Sequence, residues 1–311
     1  MDLVFGGLKM LALYFLVFII LIFILAFPNN PTVSYEGKAS TPILTYDFHP
    51  ETYIYNLKVF YLSITEHRTL GVTRYDGVLV EDEIKTYFPR SAKVILVAFF
   101  FSIIAGILKG VFDYRYRMSK LNFLGNGSTW LLQSIPDFFV ILSIQWLALA
   151  MIPSLRVFSN STWYNFIFIG IIVAIYPALY IARITFAALV NEDGQQYIQV
   201  ARSKGLKERI IVYKHMLKNC METILAHITP LMVYILSSLI MAEYLFAYEG
   251  IAYRMFFSLE IFTSIGGGQR SFEPAMILGA AVCFMGTVMF AQMVAFITRK
   301  SLGLDRSIAN E

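Results

Sequence analysis

The stretch Tyr197-Ile-Gln-Val-Ala-Arg-Ser-Lys-Gly-Leu-Lys-Glu-Arg-Ile-Ile-Val-Tyr-Lys-His-Met-Leu-Lys-Asn219 is a polar island between two long apolar runs, residues 163–190 and 223–248. It reads as a short helix, a glycine break and a second helix. Asn191 or Asp193 is placed to cap the first helix with a side-chain oxygen. Gly205 suits the left-handed position just past a helix end. Leu206, Ile210, Tyr213 and Leu217 recur at helical spacing, and the opposite side is basic. A polar, amphipathic helix pair between two apolar runs is a docking element or an interfacial helix held by anionic lipid. The residues alone leave both readings open.

The apolar runs decide the fold class. The 311-residue chain is 58% hydrophobic and 15% charged, with mean hydropathy +0.64, whereas an ordinary soluble domain is about a quarter charged. A membrane-spanning helix needs about 20 mostly apolar residues. Six segments qualify: 8–27, 91–112, 129–152, 163–190, 223–248 and 274–298. Pro136 and Pro177 fall inside the third and fourth, which is tolerated where neighbours re-satisfy the freed carbonyl. The first run ends in Pro-Asn-Asn-Pro rather than a small-x-small cleavage site, so it reads as an uncleaved helix. The expectation is an all-α membrane protein of about six transmembrane helices.

Lys and Arg in the short loops set the orientation. Arg115, Arg117 and Lys120 lie in one loop, and Arg202, Lys204, Lys207, Arg209, Lys214 and Lys218 in the 191–222 loop. Arg299, Lys300 and Arg306 lie in the tail, while the opposite short loops carry only Arg156, Arg254 and Arg270. Both termini are therefore expected in the cytoplasm. The chain then divides into an N-terminal transmembrane helix (1–27), an extracellular segment (28–89) and a five-helix core (90–311) that carries the 191–222 loop. The extracellular segment is aromatic-rich, with Asn-Leu-Lys-Val-Phe-Tyr-Leu at 56–62, and reads as folded compactly on the membrane.

Several function classes receive no support. Net charge is +4, without a basic stripe interleaved with aromatics, so nucleic-acid binding is not indicated. Cys220 falls in the loop and Cys283 inside a helix, so neither a disulfide nor a zinc site is expected. No Gly-x-x-x-x-Gly-Lys-[Ser/Thr] occurs, so the chain has no P-loop for ATP and any ATP energy comes from another polypeptide. The histidines His49, His67, His215 and His227 are scattered, and no Ser/His/Asp constellation or metal site is read. Asp137, after Pro136, and Glu243, near the outer end of the fifth helix, are the acidic residues at membrane depth. Such residues are costly and point to a pathway or an ion pair, unless they reach water at the interface. Arg183, near the inner end of the fourth helix, reads as an anchor whose head reaches the interface.

The 197–219 stretch resembles the cytoplasmic loop of binding-protein-dependent importer permeases, with Ala201 and Gly205 at the last Ala and the Gly of Glu-Ala-Ala, three residues, Gly. Gln199 and Val200 replace the first two letters. It is similar above all to the peptide branch, roughly Tyr-x-x-x-Ala-Arg-x-Lys-Gly-Leu followed by Arg-His-x-Leu-Arg-Asn. The matching residues are Tyr197, Ala201, Arg202, Lys204, Gly205, Leu206, Lys214, His215, Leu217, Lys218 and Asn219. The resemblance extends along the chain. Leu70-Gly71-Val-Thr73 is similar to a turn of the first permease in dipeptide and oligopeptide systems, and Ser134-Ile-Pro136-Asp-Phe138 resembles Ser-x-Pro-x-Phe. Ala242-Glu243-Tyr-Leu-Phe246 with Gly250-Ile251, Phe272-Glu-Pro274 and Leu304-Asp305-Arg306 also find counterparts. Thr223 replaces a proline, Glu249 and Ala252 replace Pro and Gly, and the 28–50 stretch has no counterpart.

The resemblance implies a subunit of an ATP-driven (ABC) importer for peptides, itself non-catalytic. Its implied partners are a second homologous permease, two ATPase subunits or domains that bind ATP and Mg, an extracellular substrate-binding protein, and membrane lipid. Nickel and sugar-peptide systems share the same motifs. The 191–222 loop would couple to the ATPases through Tyr197, Gln199, Ala201, Arg202, Lys204, Gly205, Leu206, His215 and Asn219, and Asp137 and Glu243 are candidates for the translocation pathway. The competing readings are a stand-alone secondary transporter or channel, which would carry ionisable coupling residues and discontinuous helices in both halves, and a membrane-anchored interaction protein using residues 28–89.

Overall fold

A computed structural model of the chain describes residues 2–28, 32–36, 41–45, 48–74, 77–151, 163–259 and 272–301. The elements are α1 (Asp2–Leu25), β1 (Thr32–Glu36), β2 (Thr41–Thr45), α2 (Pro50–Thr65), α3 (Val80–Arg115), a 3-10 turn (Lys120–Phe123), α4 (Asn126–Gln133) and α5 (Asp137–Met151). They continue with α6 (Asn165–Asp193), α7 (Gln196–Ser203), α8 (Glu208–Ile210), a π-helical turn (Ile211–Met216), α9 (Leu217–Ala226), α10 (Ile228–Leu245), α11 (Ile251–Ser258) and α12 (Pro274–Ser301). Of the residues that set the orientation, Arg156, Arg270 and Arg306 lie outside the described residues, as does Leu304-Asp305-Arg306.

The chain is predominantly helical, and one element corrects the all-α expectation. β1 and β2 pair antiparallel, with Thr32 opposite Thr45 and Glu36 opposite Thr41. Thr-Val-Ser-Tyr and Thr-Pro-Ile-Leu-Thr are β-prone sequences that a search for apolar spans passes over.

Among the described residues, α3, α6, α10 and α12 are long and apolar enough to cross a membrane. The protein is therefore a multi-pass membrane protein. α4 and α5 add a fifth span if the bent pair is one crossing, and the described apolar part of α1, Leu11–Leu25, is shorter. The third expected span, 129–152, is not one rod: α4 and α5 meet at 95°. Pro136 has no N–H for the helical ladder and its ring opposes the carbonyl four residues back, so the helix stops at Ser134 and restarts at Asp137. The second span begins earlier than residue 91. α3 starts at Val80 and runs through Pro89, with Glu81, Asp82 and Glu83 in its first turn, where the helix dipole favours acids. The fifth span is shorter than 223–248, because the chain breaks at His227 between α9 and α10.

The chain forms two compact units, Met1–Thr86 with Phe257–Met285, and Tyr87–Phe256 with Gly286–Glu311. In the first, α2 lies against the end of α1. Asn56 donates to the Ala26 carbonyl at 2.9 Å and Tyr53 to that of Phe23 at 3.1 Å. Ala26, Phe60 and Leu278 form its buried cluster. Arg74 pairs with Glu273 at 3.3 Å. In the second unit, α3 meets α6 at a row of small residues. A Cβ at Gly106 would lie 2.6 Å from Ile181 Cβ, and one at Gly110 would lie 2.6 Å from the Ala182 carbonyl oxygen. Small residues at four-residue spacing let helix backbones approach this closely in membranes. The buried Asp113 is held by Lys109 and by Thr129 Oγ1 at 2.8 Å, and Lys109 also donates to the Gly125 carbonyl at 3.0 Å. This satisfied charge ties the end of α3 to the start of α4.

Candidate functional site

The polar insert between α6 and α10 is a compact helical hairpin. α7 closes with Leu206 N donating to the Ala201 carbonyl at 3.3 Å and Gly205 N to that of Arg202 at 2.9 Å. Gly205 sits at φ +73 with open space around its missing Cβ. These paired bonds with a left-handed residue are a Schellman closure, which glycine adopts without steric penalty. The expected cap is elsewhere: Asn191 and Asp193 belong to the last turn of α6, and Gln195 precedes α7 in an extended conformation without a side-chain cap.

Asp193 does a different job. It accepts from Arg117, just beyond α3, and from Arg202 on α7, each at 2.5 Å, and Arg202 also reaches Glu208 on α8 at 2.9 Å. Its ion pairs with Glu208 and Asp193 hold Arg202 above its usual pKa. A second clamp joins Tyr197, whose hydroxyl donates to Glu192, with Asn219, whose amide donates to the Tyr197 oxygen at 2.9 Å. Burial and the Glu192 carboxylate push the Tyr197 phenol up to about 12. Tyr197, Arg202 and Asn219 are thus brought together as fasteners of the hairpin. Of their partners, Asp193 and Arg117 stood out in the sequence only as a candidate helix cap and a loop charge, and Glu192 and Glu208 not at all. The signal for them was a cluster of acids beside a conspicuously basic insert.

Most of the rest of the motif faces outward. Leu206, Ile210 and Tyr213 are 38%, 42% and 49% exposed, and Val200 joins them at 51%. Gln199, Lys204 and Gly205 are exposed, His215 and Leu217 are half-buried, and Ala201 is buried. The face that packs inward is Ile211, Val212, Met216 and Cys220. The π-helical turn supplies it: an i→i+5 ladder is wider than an α-turn and shifts the register, leaving the 206–210–213 stripe uncovered.

Glu243 is enclosed in the protein, at 0% exposure. It accepts from Ser91 Oγ at 2.5 Å and from the backbone N–H groups of Ala252 at 3.0 Å and Tyr253 at 3.1 Å, capping α11. Ser91 Oγ in turn accepts from Ile251 N at 2.7 Å. A Cβ on Gly250 would collide with the Glu243 carboxylate and the Ser91 hydroxyl. Asp137 is half-buried at the start of α5, accepting from Ser238 Oγ at 3.2 Å. The structure does not bring it together with Glu243 in any hydrogen bond. Among the described residues no group of three His, Cys, Asp or Glu could hold a metal ion.

Residues 87–302 match the protein family described as binding-protein-dependent transport system inner membrane component. The chain belongs to that family. The match takes in α4 to α11 and with them both clamps, the exposed stripe and the Glu243 cap. The chain is 30% identical over 175 residues to the dipeptide transport system permease protein DppB of Bacillus subtilis (strain 168), covering 55% of this chain and 56% of that one. It is 27% identical over 195 residues to the oligopeptide transport system permease protein OppB of Escherichia coli (strain K12), covering 61% and 63%. It is 24% identical over 264 residues to DppB of Alkalihalophilus pseudofirmus, covering 74% and 78%. The chain thus spans less than two thirds of the first two of these relatives.

Proposed function

We propose that this chain is one permease subunit of an ATP-driven importer of peptides, in the plasma membrane of a bacterium. Both termini lie in the cytoplasm and residues 28–89 outside. A second, homologous permease completes the pathway, an extracellular binding protein delivers the peptide, and two ATPase subunits or domains bind ATP and Mg and dock on the 191–222 insert. This chain catalyses no reaction. Its relatives named for dipeptide and oligopeptide transport support the peptide assignment. A stand-alone transporter is disfavoured by membership of a family named for its dependence on a binding protein. Asp137 is retained as a pathway residue, whereas Glu243 serves the fold.

One observation carries the reading. The insert is rigidly fastened to α6 and to the end of α3 by Asp193, Arg117 and Arg202, yet it leaves the apolar 206–210–213 stripe uncovered beside Lys204, Lys207 and Lys214. Fastening without cover is what a lever requires. When the ATPases close, a partner gripping the stripe moves the hairpin, and the ion pairs pass the displacement to the spans, which switch between two states. Ile210→Asp tests this, because the side chain is exposed and packs little within the chain. The expected result is normal membrane insertion with loss of most of the co-purifying ATPase. Recovery of ATPase at the wild-type ratio would remove the stripe from the docking site.

A further inference from the structure

Three helix surfaces meet where a span is broken. Ser134, Ile135 and Pro136 separate α4 from α5 at the 95° bend, and Ser134 and Pro136 are exposed. The break lies at membrane depth. Ser238, the partner of Asp137, is about 15 Å along α10 from its first residue at 1.5 Å per residue. Tyr176, whose hydroxyl donates to the Leu132 carbonyl at 2.9 Å, lies in the middle of α6. Non-helical backbone at that depth does not meet lipid, because its N–H and C=O groups would go unpaired. It is tolerated against protein or beside a water-filled cavity.

The adjoining surface is polar as well. The Tyr180 hydroxyl shares a hydrogen bond with His227 Nδ1 at 2.7 Å, and its ring lies 5.0 Å from that of Tyr234. Tyr234 and Ser237 are exposed on α10, and Arg183 is exposed on α6, where it reaches Gln133 at 3.4 Å. Arg183 therefore turns along the bundle toward the break. An ionisable group at this depth is costly against hydrocarbon. α12 behaves differently, exposing Phe290, Met293 and Phe296.

Building on the importer reading, we propose that this face of α6 and α10, together with the α4–α5 break, walls a water-filled passage whose tyrosines handle an extended peptide with free termini. A phenol offers an apolar ring face and a hydroxyl that both donates and accepts. Those are the groups needed by a ligand whose main chain repeats N–H and C=O while its side chains vary. Asp137 and Arg183 bring opposite charges to the wall, matching the charged amino and carboxyl ends of a short peptide.

The test uses the complex purified through a tag on this chain and reconstituted in liposomes. In a Cys220→Ala, Cys283→Ser background, single Tyr234→Cys, Ser237→Cys and Phe290→Cys substitutions are labelled with a membrane-impermeant methanethiosulfonate. Positions 234 and 237 are expected to react at least tenfold faster than 290, at a rate that changes with ATP and falls with millimolar trialanine. Ser237→Cys is near-isosteric and carries the test if Tyr234→Cys is poorly made. Rates at 234 and 237 equal to that at 290 would overturn the proposal in favour of lipid. Constant protection in every nucleotide state, with crosslinks to the second permease, would overturn it in favour of a static interface. Labelling indifferent to trialanine, in a complex that imports trialanine, would overturn the peptide-handling role. A complex that lacks an ATPase overturns the importer reading alone, since reagent access reports the wall either way.

Discussion

Glu243 holds three pieces of chain at one point: its own helix, Ser91 on α3 and the first N–H groups of α11. Hydrogen bonds to a charged acceptor contribute about 1.5–3 kcal/mol each, and a buried donor left unpaired costs about 1–3 kcal/mol. Glu243→Gln keeps the shape but substitutes a neutral amide, whose N–H₂ faces donors. It is expected to lower the stability of the purified chain by about 1–3 kcal/mol, read as a fall in thermal midpoint in detergent, with uptake per folded complex unchanged. Reduced uptake at unchanged stability would return Glu243 to the pathway. This role was not legible in the sequence. The carboxylate and Ser91 are 152 positions apart, and nothing in either apolar run announces that they meet. Gly205 was legible, because a glycine between two helical patterns has a local reason to be there: few other residues accept its positive φ.

Elements were legible in proportion to how local their causes are. α3, α6, α10 and α12 follow from apolar runs alone. The α4–α5 bend has a local cause in Pro136, yet a proline is equally compatible with a continuous, gently kinked span, so composition could not decide. The apolar stripe of the insert was legible as far as Tyr213, and only Leu217, beyond the π-helical turn, leaves it half-buried. Helical spacing through 206, 210, 213 and 217 assumes α-turns, and the π-helical turn at Ile211–Met216 breaks that period. Packing of α3 on α6 makes a sharper prediction. Gly106→Leu places a branched side chain where even a Cβ meets Ile181 and the Ala178 carbonyl at 2.6 and 2.7 Å. Overpacking of that kind costs about 1–3 kcal/mol or more, so the variant is expected to give a small fraction of the wild-type yield of monodisperse protein in detergent. A wild-type elution profile and thermal midpoint would show that the two helices separate without penalty.

For the whole molecule, the question is how a displacement at the insert reaches the spans. Gly205 has open space at its Cβ position within this chain, so Gly205→Val meets no internal clash and adds only left-handed strain of about 1–2 kcal/mol. The chain should fold and insert, while on the proposed importer reading, in which a partner docks on the hairpin at that point, substrate-stimulated ATP hydrolysis by the complex falls at least tenfold. Wild-type stimulation would place the partner elsewhere on the insert. The family assignment was legible from the motif, whereas the division of that motif into fasteners and exposed contacts was not, since only the fold separates Tyr197, Arg202 and Asn219 from Leu206. The crowding at Gly250 also gives this molecule a direction in time. Alanine at 250 is crowded by both Glu243 and Ser91, whose oxygens each press on the added methyl, so the room it needs opens only when both side chains give way. A lineage drifting through these three sites must therefore change 91 and 243 before 250, and once 250 has gained its methyl group the return of serine with glutamate is opposed: a small ratchet, set by the volume of a single carbon atom.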